Sequence, residues 1–114
     1  MKVRLCLTAL AAGMALAVAP AAGSPKAPRA PGKAYTITIR NMAFGPVPAT
    51  LHVGDAILWV NADIFRHTVT AKDGRFDVDL KPKGQARTVL NKPGQVVFFC
   101  RYHPGMTGKL TITR

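Results

Sequence analysis

The chain's 114 residues are enough for one domain, and its sixteen Lys and Arg against five acidic residues give a net charge of +11. The five acids are all Asp. Its basic residues, Arg40, Lys72, Arg87 and Arg114 among them, are scattered and not interleaved with aromatics. That argues against a nucleic-acid-binding surface and for a solvated positive face that attracts acidic partners or anionic membranes.

Lys2 and Arg4 precede an apolar run from Leu5 to Ala19, and Ala21-Ala22-Gly23 adds small residues before Ser24. Charged start, apolar middle and small-residue end predict a secretory signal over residues 1–23, and hence export to the periplasm or an equivalent compartment. The run is about 15 residues, short of the ~20 that cross a bilayer. An uncleaved anchor is the alternative. Cys6 leaves with a cleaved signal, so Cys100 becomes the single cysteine and has no internal disulfide partner. Residues 24–33 hold three prolines among small and basic residues and read as an extended linker.

A folded unit over residues 34–114 follows. Tyr35, Ile37 and Ile39 alternate with polar residues as a half-buried strand. Asn41 to Ala49, with Gly45, Pro46 and Pro48, reads as a turn-rich crossing. Leu51 and Val53 mark a short strand on which His52 faces outward. Gly54-Asp55 turns into the apolar strand Ala56–Val60, and Asn61-Ala62-Asp63 ends it. Thr68–Thr70 is β-prone. Phe76, Val78 and Leu80 alternate with Asp77 and Asp79 as a strand or edge segment. Ala86 to Leu90 is extended, Val96–Cys100 is a buried strand, and Lys109–Thr113 closes the unit. There is no helix-period run outside the signal. Short strands spaced 8–12 residues apart predict an all-β sandwich or barrel.

Between the last two strands runs Cys100-Arg101-Tyr102-His103-Pro104-Gly105-Met106. A thiol, an imidazole and a thioether sit three residues apart on a loop leaving an apolar strand, and a second imidazole, His67, lies upstream. Each has an ordinary alternative: a core thiol at Cys100, polar loop residues at His67 and His103, a gap-filling Met106. Met42 reads as core or rim. Taken together, one thiolate, two imidazoles and one weak thioether are the donor set of a mononuclear copper electron-transfer site. A zinc site would call for further Cys, His or carboxylate ligands, and Asp63 is the carboxylate nearest His67 in sequence.

Phe44-Gly45-Pro46, Val53-Gly54-Asp55 leading to Trp59-Val60-Asn61, His67-Thr68-Val69, Lys92-Pro93-Gly94 and Cys100 to Gly108 together resemble the cupredoxins, the plastocyanin/azurin superfamily. The short Cys-x-x-His-x-x-Met loop is similar to that of amicyanins. The resemblance implies a Greek-key β-sandwich of about seven or eight strands. It implies one type 1 copper ion, cycling between Cu(I) and Cu(II), held by His67, Cys100, His103 and, more weakly, Met106. Two positions depart from the pattern. Thr68 stands where Asn usually cross-links the two ligand loops, and Arg101-Tyr102 where Thr-Pro is common. Arg66 and Arg101 are expected to place positive charge near the site and raise its potential.

No catalytic acid, base or nucleophile set is visible, which predicts a carrier and not an enzyme. The expected function is one-electron transfer between redox proteins by a monomer that docks near His103, Pro104 and Ile64. The alternative is copper delivery or buffering, which the absence of additional Met or His clusters disfavours.

Overall fold

The structure is a computed structural model that describes residues 11–18 and 32–114. Apart from residues 11–18, which are exposed and carry no helix or strand, and residues 32–33, the predicted signal and linker lie outside the described residues.

Nine strands form two sheets among the described residues: β1 (Ala34–Arg40), β2 (Ala43–Phe44), β3 (Leu51–His52), β4 (Ala56–Asn61), β5 (His67–Ala71), β6 (Asp77–Leu80), β7 (Gln85–Val89), β8 (Gly94–Phe99) and β9 (Thr107–Thr113). One sheet has the order β2-β1-β4-β7 and the other β3-β9-β8-β5-β6. β1–β2, β5–β6 and β8–β9 pair within one sheet, and the remaining connections cross between the sheets; β1 lies parallel to β4 and β3 parallel to β9, while the other pairs are antiparallel. This is the expected Greek-key sandwich. It has nine strands because two-residue pairings at β2 and β3 count as strands. The turn-rich crossing contains β2, paired with β1 through Ile39–Phe44 and Arg40–Ala43. Asn41 and Met42 link the two, both at positive φ (52° and 59°), the two-residue turn whose twist matches a hairpin.

The alternation read from the sequence sets the inner faces. Ile37 and Ile39 on β1, Ile57, Trp59 and Asn61 on β4, and Val96 and Phe98 on β8 are all buried. Their partners across the sandwich include an aromatic cluster. The Phe98 ring packs edge-on to Phe44 at 4.8 Å and to Trp59 at 5.3 Å, an arrangement that adds to the area term. Trp59 Nε1 donates to Thr88 Oγ1 at 3.0 Å. Gly108 on β9 lies opposite Phe98 on β8, and the Phe98 ring occupies the space a Cβ there would need. The sequence places Gly108 at the end of the ligand loop. In the fold it makes room for the central aromatic ring.

Candidate metal centre

Cys100 continues the inward phase of Val96 and Phe98 one residue past the end of β8, and it is fully buried. The chain then folds into a tight loop. His103 N–H donates to the Cys100 carbonyl at 3.3 Å, Met106 N–H to the His103 carbonyl at 2.8 Å, and Cys100 N–H to the Met106 carbonyl at 3.1 Å. Pro104 and Gly105 supply the reversal. These three bonds turn the x-x spacing into a closed loop that carries His103 back over Cys100. His103 is half-buried. Met106 is buried at 7% exposure and belongs to the same core cluster as Cys100.

His67 arrives from the neighbouring strand. β5 lies beside β8 in the sheet, and His67 at its first residue is fully buried. His67 Nδ1 stands 3.7 Å and His103 Nδ1 3.6 Å from Cys100 Sγ. The three donor atoms lie within 4.8 Å of one another. Bonds of about 2.0 Å to nitrogen and 2.3 Å to sulfur put the two donors about 3.7 Å apart at 120° and about 3.5 Å apart at a tetrahedral angle. The observed separations match the span of two donors sharing one ion, and a His2Cys set is the equatorial donor set of copper electron-transfer sites. The donors present therefore fit one copper ion.

Residues 62–66, between β4 and β5, are set by Asn61. Its Nδ2 lies 2.7 Å from the Phe65 carbonyl and 3.2 Å from those of Leu80 and Lys81, and its Oδ1 accepts from Asp63 N–H at 3.0 Å. Asp63 in turn accepts from the backbone N–H of Asn41 at 2.7 Å and of Met42 at 3.0 Å, and from His67 Nε2 at 2.8 Å. Burial resists ionisation of Asp63, but the Met42 N–H, the His67 ring and the Asn41 N–H outweigh it and hold its carboxyl below the usual carboxylate value. An ionised carboxylate only accepts, so Nε2 of His67 carries the proton. Nδ1, the nitrogen facing Cys100 Sγ, is then the one with a free lone pair. This partnership fixes the tautomer a metal ligand needs. Asp63 was visible in the sequence only as the nearest carboxylate, and Asn61 only as a strand end. The signal for Asn61 was its phase: it falls on the inward side with Ile57 and Trp59, where a polar residue needs a reason.

Thr68 is also fully buried. Its N–H points at Cys100 Sγ at 3.3 Å, and its Oγ1 accepts from Arg101 N–H at 2.8 Å. Threonine thus still links the segment that carries His67 to the loop that carries Cys100 and His103. Arg66 and Arg101 are not free charges. Arg66 Nε lies 3.4 Å from Asp79 Oδ1, Arg101 Nε lies 3.3 Å from Asp77 Oδ1, and the Tyr102 hydroxyl donates to Asp79 Oδ2 at 3.0 Å. Carboxylates of β6 therefore stand beside both arginines and offset part of their charge. His52 is exposed and Met42 lies at the rim with 37% exposure, as anticipated.

Comparison with known proteins agrees with this geometry. A cupredoxin-like domain model matches residues 8–112. Amicyanin of Paracoccus versutus is 30% identical over 88 residues, 72% of this chain and 67% of that protein. The crystal structure of Paracoccus versutus amicyanin superposes with a TM-score of 0.56 at 22% identity, covering 74% of this chain and 85% of the other. The Cu(I) form of a methionine-to-alanine variant of amicyanin gives 0.57 at 23% identity, covering 74% and 86%. On the family match and the identity to a curated relative, the chain belongs to the cupredoxin-like family.

Proposed function

We propose that this protein is an exported one-electron carrier holding a single copper ion through His67, Cys100 and His103, with Met106 as a weaker fourth ligand. The observation that carries the reading is the convergence of Cys100 Sγ with Nδ1 of His67 and of His103, at 3.7 and 3.6 Å. Two imidazoles, one thiolate and one thioether would suit both Cu(I) and Cu(II), and a copper ion held by them would supply one-electron redox chemistry.

The chain's own groups do the rest. Asp63 holds His67 in the tautomer with Nδ1 bare. The Thr68 N–H bonds the sulfur and stabilises its negative charge. Full burial of His67 and Cys100 and near-full burial of Met106 exclude water as an added ligand. Half-buried His103 gives the electron a route to the surface. The exposed Phe65 ring (51%) lies 6.5 Å from that of His103, and the chain neighbours Ile64 (74%) and Tyr102 (45%) are exposed as well. With Pro104 they form a small apolar face suited to brief docking of redox proteins, and the positive excess favours partners with acidic surfaces. In this reading residues 1–23 are a signal, 24–33 a tether and 34–114 the carrier domain, which works as a monomer.

The test is a visible spectrum and voltammetry of the protein loaded with Cu(II). An intense blue band lost in Cys100→Ser, together with a reversible one-electron wave, supports the carrier. Labile, colourless copper points instead to copper delivery or buffering. Failure to take up copper overturns the proposal.

A further inference from the structure

The ligand loop and β5 are joined by bonds in which no metal donor side chain takes part. The Arg101 amide donates to Thr68 Oγ1 at 2.8 Å. Thr68 Oγ1 lies 3.0 Å from Thr70 Oγ1, and Thr70 Oγ1 lies 2.8 Å from Asp77 Oδ1. The same Oδ1 is 3.3 Å from the Arg101 guanidinium. The path begins at the backbone of Arg101 and returns to its side chain. The strand register makes it possible: Thr70 on β5 pairs with Asp77 on β6, and Thr68 with Asp79, so these side chains share one face of the sheet.

The protons in this ring have one arrangement. An ionised carboxylate only accepts, so the Thr70 proton goes to Asp77. Thr70 Oγ1 then meets Thr68 as an acceptor, and the Thr68 proton goes to Thr70. The lone pairs of Thr68 are left for the Arg101 N–H. Without Thr70 and Asp77, the Thr68 hydroxyl is a single rotor with no preferred partner for its proton. With them, it is committed to accepting from the amide next to Cys100.

We infer that Thr70 and Asp77 are positioning residues for the metal-ligand loop, orienting the Thr68 hydroxyl so that it ties the Arg101 amide, and with it Cys100, to β5. The inference rests on the reading of Cys100 as a ligand. It also accounts for how threonine serves where family members usually carry Asn. A side-chain amide bridges two segments by itself, whereas a hydroxyl needs a relay to fix its direction. Held in this way, the Cys100 sulfur keeps its place beside the Thr68 N–H whether or not an ion is bound.

Amide hydrogen exchange by NMR on the metal-free protein tests this. Valine at position 70 keeps the β-branched shape that suits a strand, and serine restores the hydroxyl alone. Thr70→Val is expected to speed exchange at the Arg101 amide about tenfold, the worth of one hydrogen bond, with the Trp59 amide unchanged. Thr70→Ser is expected to return Arg101 to the wild-type rate. In copper-loaded protein the reduction potential should follow the same pattern, displaced in the valine variant and restored in the serine variant. An Arg101 rate unaffected by Thr70→Val overturns the relay. So does a serine variant that behaves like valine, since shape and not the hydroxyl would then matter. If the wild type binds no copper, the proposed function fails while the exchange rates still judge the relay.

Discussion

His67 Nε2 stands 2.8 Å from Asp63 Oδ2, four residues earlier in the chain, and the same carboxylate accepts the backbone N–H groups of Asn41 and Met42. One side chain therefore ties the hairpin between β1 and β2 to His67, the first of the proposed ligands. Replacing Asp63 by Ala leaves two amides and a buried ring N–H without their acceptor. The expected loss of stability is about 2–3 kcal/mol, read by urea unfolding of the metal-free protein. Because the outer partner of a ligating His sets its tautomer and orientation, copper affinity should also fall about 10–100-fold in a competition titration. An unchanged affinity would show that the His67 ring is held by packing alone.

Gly108 and Phe98 face each other across β8 and β9 with no space for a Cβ between them. Gly108→Ala must push the Phe98 ring against Phe44 and Trp59, and overpacking of this kind costs about 1–3 kcal/mol. Thermal unfolding should show the drop, and near-ultraviolet circular dichroism should show the altered aromatic environment. Gly105→Ala, where nothing lies within 4 Å of the added methyl, is the matched control and should change stability far less.

Asp55 supplies a pH dependence remote from the candidate metal centre. Burial raises its carboxyl pKa, but the N–H groups of His52 and Lys33, at 2.8 and 2.9 Å, lower it further than burial raises it, so it lies below its ordinary 3.8. A group with a depressed folded pKa stabilises the fold above its unfolded value, and that contribution is lost as pH falls through the folded one. Stability of the metal-free protein should therefore be flat around neutral pH and decline below about pH 4. Asp55→Asn should lower the neutral plateau and flatten the acid limb. An acid limb of unaltered slope would assign the decline to other carboxylates.

Arg66 and Arg101 are exposed and paired with Asp79 and Asp77, so solvent and the carboxylates both weaken the field of their charges. Replacing both by Gln should move the reduction potential by only on the order of 10 mV, the scale of a partly compensated charge seen through solvent. A much larger fall would mean that the carboxylates do not screen them.

The sequence by itself determined the strands other than β2, the inward phase of Val96, Phe98 and Cys100, and the three-residue spacing of Cys100, His103 and Met106. Each depends on period-two alternation or on contacts between chain neighbours, so it is written locally. Only the tertiary structure decided which nitrogen of His67 meets a sulfur 33 residues away, because β5 and β8 become neighbours through the order of strands in a sheet. The same holds for Asn61 as organiser of residues 62–66, for the pairing of two arginines with β6, for the hydrogen bonds through Thr70 and for the room Gly108 leaves the Phe98 ring. In each case the partner is set by register and sheet order across distant segments, and no local pattern of residues encodes that pairing.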